Sequence, residues 1–219
     1  PWADQLASGR EVEAELRRMR ELFLRWNPST TMKCAIFEEN GNRHDMQRVL
    51  GHVTLQNAVR RMGDFVLTSC AANALQPYRQ NDNGWDQGQV FFTPSQVWGM
   101  PPYYAQQMAA AHHRPLTVGC GVEGADGVLD VTATRSREAG SVVLHIANTG
   151  AEPLRVGLRV DGMGKVSQAR MVSLSGDLDA VNTPEEPRRI APVGRELPAW
   201  AAQTVDIAPY SYTIVVLDE

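Results

Sequence analysis

The spacing of the apolar residues changes near residue 115, and this constrains the fold more than any other feature of the chain. Before that point, helical periods alternate with short apolar runs. After it, nearly every stretch has period two and is punctuated by Gly, Pro, Asn and Asp. The two periods belong to different secondary structures. The 219 residues suffice for one large domain or two modest ones.

In the first half, Ser8-Gly9-Arg10-Glu11 reads as a capping box with Ser8 as N-cap. Val12, Leu16, Met19 and Phe23 follow at spacings of four, three and four, which predicts an amphipathic helix ending near Trp26-Asn27-Pro28. Met32 to Phe37 is a short run without clean alternation, as expected of a strand covered on both faces. It stops at Glu38-Glu39-Asn40-Gly41. Met46, Val49, Leu50, Val53, Ala58 and Met62 predict a second helix, and Phe65 to Cys70 a second buried strand. A polar loop from Arg79 to Gln89 leads to Val90-Phe91-Phe92, and Pro101-Pro102 opens a last helix through Tyr103, Tyr104, Met108 and Ala109. Helix and strand in alternation imply a parallel sheet or barrel. Two parallel strands cannot close a barrel, and so narrow an open sheet leaves bare edges. The first half therefore reads as a piece of something larger.

In the second half, Leu129, Val131 and Ala133 alternate with Asp130, Thr132 and Thr134. Val142, Leu144 and Ile146 share one face. Leu154, Val156, Leu158 and Val160 alternate with Arg155, Gly157, Arg159 and Asp161, and the chain closes on the apolar run Tyr210 to Leu217. Short strands joined by turns predict an antiparallel sandwich.

A net charge of −4 without a basic stripe argues against nucleic acid as the main partner. No apolar run approaches the roughly 20 residues that span a bilayer. The opening Pro1-Trp2-Ala3-Asp4, without an initiator Met, reads as a processed or truncated start. Cys34, Cys70 and Cys120 form no metal-ligand spacing and read as free, buried thiols. His112-His113 suits a helix end, where His complements the dipole, and neighbours that point apart on a helix make a poor metal site. No phosphate loop or nucleophile elbow is present, and no cofactor is expected.

Candidate chemistry gathers at the end of the first buried strand. In a (β/α) barrel, catalytic groups stand at the C-terminal ends of strands. A carboxylate there can be the nucleophile of a retaining glycosidase, given a second carboxylic acid about 5–5.5 Å away. Alternation sends Glu38 and Glu39 to opposite sides, so at most one faces a sugar; the other possibility is that both cap the strand in solvent. The loop Asn81 to Gly88 follows the second strand and would share that face. Its Trp85 either stacks on a sugar ring or folds back on the core. The loop loosely resembles an oxygen-rich calcium loop but lacks the bidentate Glu at its twelfth position.

Three stretches carry a family resemblance: Lys33-Cys34-Ala35-Ile36-Phe37-Glu38; Val97-Trp98-Gly99-Met100-Pro101-Pro102-Tyr103-Tyr104-Ala105-Gln106-Gln107-Met108; and Ser173-Leu174-Ser175-Gly176 through Asn182-Thr183-Pro184 to Pro187, with a terminal Pro209-Tyr210-Ser211-Tyr212-Thr213. Together they resemble the C-terminal region of glycoside hydrolase family 51, the α-L-arabinofuranosidases, which also includes some endoglucanases and xylanases. The resemblance implies the end of a (β/α)8 TIM barrel over residues 1–114, with its last two βα units, and a jelly-roll β-sandwich over 115–219. It implies Glu38 as the nucleophile, with Glu39 the second choice, standing where the family usually has an aromatic residue. Asn73 falls near a position where many members place a sugar-binding Gln. The family's acid/base Glu comes from an Asn-Glu pair that this chain does not contain. The implied substrate is an arabinose-containing oligo- or polysaccharide of hemicellulose, and the implied partner is the N-terminal part of the barrel. A non-catalytic carbohydrate-binding or structural module is the reading from another class.

Overall fold

The computed structural model describes residues 2–80, 84–125, 127–138, 140–198 and 204–219. Helix α1 (Trp2–Trp26) is followed by strand β1 (Cys34–Glu39), helix α2 (Met46–Arg61), a 3₁₀ turn over Gly63–Phe65 and strand β2 (Val66–Ala71). The backbone at Ser8 lies inside α1, so the expected N-cap is not there and the helix begins about two turns earlier. The N-cap of α2 is Asp45, whose Oδ1 accepts from the Arg48 N–H at 3.2 Å. Strands β1 and β2 pair in parallel, with register irregularities after Cys34 and between Ile36 and Glu39.

One face of this pair is covered. Leu16, Met62 and Phe65 are buried there with Val12, Phe23, Cys34, Ile36 and Val66 around them. The other face is not covered: Phe37 is 75% exposed and Leu67 70%. Strands expected to be covered on both faces are thus covered on one, because the helices pack from a single side. The expectation of buried thiols also fails: Cys70 and Cys120 are exposed and Cys34 is half-buried.

Three short strands follow. Strand β3 (Leu75–Pro77) runs parallel to β4 (Val90–Phe92), and β5 (Val97–Gly99) is antiparallel to β4. They enclose Phe91, Trp98 and Met100. Helix α3 (Pro101–Ala111) opens on its two prolines, whose missing N–H groups cost nothing in a first turn. It closes with His112, whose Nδ1–H donates to the Met108 carbonyl at 2.8 Å.

The second half is antiparallel. Strands β6 (Leu116–Val118), β7 (Leu129–Arg135), β8 (Ser141–Asn148), β9 (Leu154–Gly157), β10 (Gln168–Ser175), β11 (Val193–Glu196), β12 (Thr204–Ile207) and β13 (Ser211–Asp218) form two sheets. The larger has the order β11-β10-β13-β8-β7-β6; the smaller pairs β12 with β9. Between them lie Leu144, Ile146, Met171, Val205, Ile207, Val215 and Leu217, the core of a β-sandwich. Alternation in Leu154 to Val160 suggested a longer strand. Pairing stops at Gly157, yet Leu158 and Val160 still pack on that core.

The outer face of the large sheet is covered as well. Met46, Val49 and Val53 of α2 and Tyr104, Ala105 and Met108 of α3 share a cluster with Val143, Leu174, Tyr212, Ile214 and Val216. Alternate residues of β13 therefore face opposite cores, which is why its sequence is apolar without interruption. Polar bonds join α2 to β7: Asn57 Nδ2 donates to Asp130 Oδ1 at 2.7 Å, and Thr132 Oγ1–H donates to Asn57 Oδ1 at 2.8 Å. The chain is mostly sheet with few helices, and α2 lies between the parallel pair and the sandwich.

Candidate active site

The C-terminal ends of β1 and β2 lie side by side, and the polar groups singled out in the sequence gather there. Glu38 is exposed. Its Oε2 accepts from Asn40 Nδ2 at 3.4 Å, a long bond that leaves the carboxylate open to solvent. Glu39 is only 4% exposed. Its Oε2 lies 2.8 Å from His52 Nδ1, and its Oε1 accepts from the Ser69 hydroxyl. The two neighbouring carboxylates therefore have opposite surroundings, one in solvent and one locked in protein.

Arg48 and His52 are one helical turn apart on α2 and both point at the end of β1. Arg48 Nη1 donates to the Asn40 carbonyl at 2.6 Å, and Nη2 donates to the Glu39 carbonyl. The guanidinium lies so close to the chain that a Cβ on Gly41 would stand 2.1 Å from Nη1. Only glycine leaves room for that contact. Burial pushes the Arg48 pKa down to about 10 against the opposing pull of Glu39, so Arg48 stays cationic at neutral pH. Burial also lowers the His52 pKa, which outweighs the hydrogen bond that it donates to Glu39. A neutral imidazole that bonds a carboxylate through Nδ1 carries its proton on that nitrogen.

The β2 end contributes the remaining groups. The Ala72 N–H donates to the Glu39 carbonyl at 3.3 Å, carrying the pairing one step past β2. Half-buried Asn73 follows across a cis peptide bond, and its carbonyl accepts from the Gln89 N–H at 3.2 Å. Trp85 is 46% exposed. Asn81, Asp82 and Asn83, the first part of the loop likened to a calcium loop, lie outside the described residues.

The residues after Trp85 are anchored. Asp86 accepts from Gln76 Nε2 at 2.9 Å and lies 3.3 Å from His44 Nδ1. Gln87 accepts from the Gly41 N–H at 2.9 Å and donates to Asn40 Oδ1 at 3.0 Å. The 84–88 segment is thus tied to the segment after β1. Sequence reasoning named Glu38, Glu39, Asn73 and Trp85. It missed Arg48, His52, Ser69 and Gln87. The available signal was Arg48 and His52, charged or ionisable residues set four apart among Val49, Leu50 and Val53 of α2. Among the described residues, no three His, Cys, Asp or Glu side chains stand as a metal site would require.

The other two resembling stretches also meet. Buried Asn182 donates to the Gly99 carbonyl at 2.8 Å and to the Ile190 carbonyl at 2.9 Å, and Gln96 Nε2 donates to the Pro184 carbonyl at 2.9 Å.

The structure resembles solved arabinofuranosidases. An α-L-arabinofuranosidase from Thermotoga maritima, solved as an arabinose complex, superposes with a TM-score of 0.84 at 17% identity, over 100% of this chain and 50% of that one. The thermostable family 51 α-L-arabinofuranosidase of Thermotoga petrophila RKU-1 gives 0.84, 17%, 100% and 50%. The family 51 arabinofuranosidase of Xanthomonas axonopodis pv. citri gives 0.78, 12%, 99% and 47%. At these identities the likeness shows the fold, and the chain spans about half the length of these structures. No curated protein sequence matches it. The family model described as the alpha-L-arabinofuranosidase C-terminal domain matches residues 27–211. Since that match takes in β1, the strand-end carboxylates, the 84–88 segment and the sandwich up to the start of β13, the chain belongs to this family, as the C-terminal region of a glycoside hydrolase family 51 protein.

Proposed function

We propose that this chain carries the nucleophile of a retaining glycoside hydrolase that releases arabinose from plant cell-wall polysaccharide, an α-L-arabinofuranosidase. In this reading residues 1–114 are the last part of the catalytic (β/α)8 barrel and 115–219 its sandwich. The rest of the barrel lies against the bare face of β1 and β2, where Phe37 and Leu67 are exposed. The observation that carries the reading is the contrast at the strand end: Glu38 is exposed at the C-terminal end of a parallel strand, while Glu39 is consumed by His52 and Ser69.

The chemistry is double displacement. The Glu38 carboxylate attacks the anomeric carbon, the bond to the leaving oxygen breaks, and a carboxylic acid of the remaining barrel protonates that oxygen. The resulting glycosyl ester on Glu38 is attacked by water, deprotonated by the same second carboxylate, and Glu38 leaves unchanged. Trp85 and Asn73 supply the sugar with an aromatic face and an amide.

The test uses the complete polypeptide and a nitrophenyl arabinofuranoside, with a β-glucan beside it. Glu38→Ala is expected to abolish turnover with an unchanged circular dichroism spectrum, and added azide to restore it as glycosyl azide. A Glu38→Ala enzyme with most of its activity would overturn the assignment. Turnover of the β-glucan in place of the arabinofuranoside would overturn the choice of sugar.

A further inference from the structure

We propose that Glu39 is a positioning residue, whose buried carboxylate fixes the backbone from which Glu38 reaches the sugar. The inference rests on the reading of Glu38 as nucleophile. Its starting point is the broken register between Ile36 and Glu39. A regular parallel ladder would set the direction of each side chain by itself; at this strand end it does not. Ile36 packs toward the helices, so unbroken alternation would send Glu38 there too. Instead Glu39 is buried toward α2 and Glu38 is exposed.

Bonds from the β2 end and from α2 hold this irregular segment. The Glu39 side chain takes Ser69 from β2 and His52 from α2. The Glu39 carbonyl takes Arg48 and the Ala72 N–H, and the next carbonyl, that of Asn40, takes Arg48 again. The carboxylate is therefore the one side chain that ties the residue beside Glu38 to both the neighbouring strand and the helix behind it. A buried carboxylate is costly unless its bonds are satisfied, and an apolar residue would fill the same space at less cost. What the carboxylate adds is direction: two bonded oxygens fix the orientation of the residue that bears them. Among the described residues Glu38 has only the long bond from Asn40, so its aim is set by the backbone that Glu39 anchors.

The experiment compares Glu38→Ala, Glu39→Ala and Glu39→Gln in the complete polypeptide, with kcat and KM measured per folded enzyme. Glu39→Ala is expected to lower kcat about tenfold to a hundredfold with KM within about twofold, since misplacing a reacting group acts on the transition state rather than on binding. Glu39→Gln keeps the shape and one accepting oxygen and is expected to recover most of that loss. An inactive Glu38→Ala beside a Glu39→Ala of wild-type kcat would overturn this inference and leave the nucleophile standing. An active Glu38→Ala with an inactive Glu39→Gln would overturn both, making Glu39 the nucleophile. If Glu39→Ala does not fold, Ser69→Ala decides: a several-fold lower kcat at unchanged KM supports the proposal, and a wild-type kcat refutes it.

Discussion

Strands β1 and β13 both carry apolar residues, yet they are covered differently. In β13, Tyr212, Ile214 and Val216 face α2 and α3, while Val215 and Leu217 face the small sheet, so both sides are closed. In β1, Ile36 and Cys34 face the helices and Phe37 faces solvent. The contrast teaches that a run of apolar residues reports what a strand can bury, not what buries it. It also divides the labour within the chain. Stability resides around β13, whereas the open face of β1 and β2 leaves Phe37 and Leu67 in solvent.

The sharpest way to break this comparison is to truncate one side chain in each strand. Ile214→Ala is expected to cost about 2–5 kcal/mol in urea unfolding, because Ile214 is fully buried between layers. A cost no larger than that of Phe37→Ser would erase the distinction.

Next in size is the joint between the two regions. Asn57→Ala removes a buried amide that bonds both Asp130 and Thr132; Asp130 keeps its bonds from Arg61, but the Thr132 hydroxyl loses this acceptor. The substitution should cost about 1–3 kcal/mol by the same measurement. A neutral outcome would mean that α2 is held to the sandwich by apolar contact alone.

The third test is pH. His145 lies buried in β8, with its Nδ1 2.7 Å from the Tyr212 hydroxyl. Burial, helped by the positive charge of Arg60, pushes its pKa down to about 2, and burial raises that of Tyr212 to about 12. Both groups are therefore neutral at pH 7, and one hydrogen bond joins them. Below about pH 6.5 the unfolded chain binds a proton that folded His145 refuses, so stability falls as pH drops from there toward 2. The loss approaches about 1.4 kcal/mol per pH unit for each such histidine. His52, lowered in the same direction, adds to it. His145→Gln should flatten the slope between pH 6.5 and 5 by one histidine's share, as urea titrations at both pH values would reveal. An unchanged slope would remove His145 from the account.

The smallest effect is expected on the open face. Phe37→Ser should change the stability of residues 1–219 by no more than about 0.5 kcal/mol, as for other exposed sites. A loss of several degrees in melting temperature would show that the face is not open in solution.

Much of this architecture was legible. Period two in Leu129 to Ala133 and in Val142 to Ile146 marked β7 and β8, and Pro101-Pro102 marked the start of α3. The strands of three residues, β3 and β5, are too short to show a period. The burial of Arg48 and His52 could not be read, because it depends on α2 having neighbours on two sides. The acids at positions 38 and 39 were found, and alternation correctly set them apart. Which one faces the helix depends on an irregularity of pairing, and pairing joins residues roughly thirty positions apart.

The position of β13 bears on how the molecule assembles. Strands β8 and β10 never pair with each other; each meets the large sheet through β13, which comes last among the described elements. On the ribosome, the β6–β8 meander and the β10–β11 hairpin must therefore wait as separate pieces, each with an unpaired edge, until residues 211–218 emerge. Such late, long-range closure makes folding slow and leaves a window for edge-to-edge association between nascent chains. The same strand that makes the finished core durable makes its synthesis the vulnerable period.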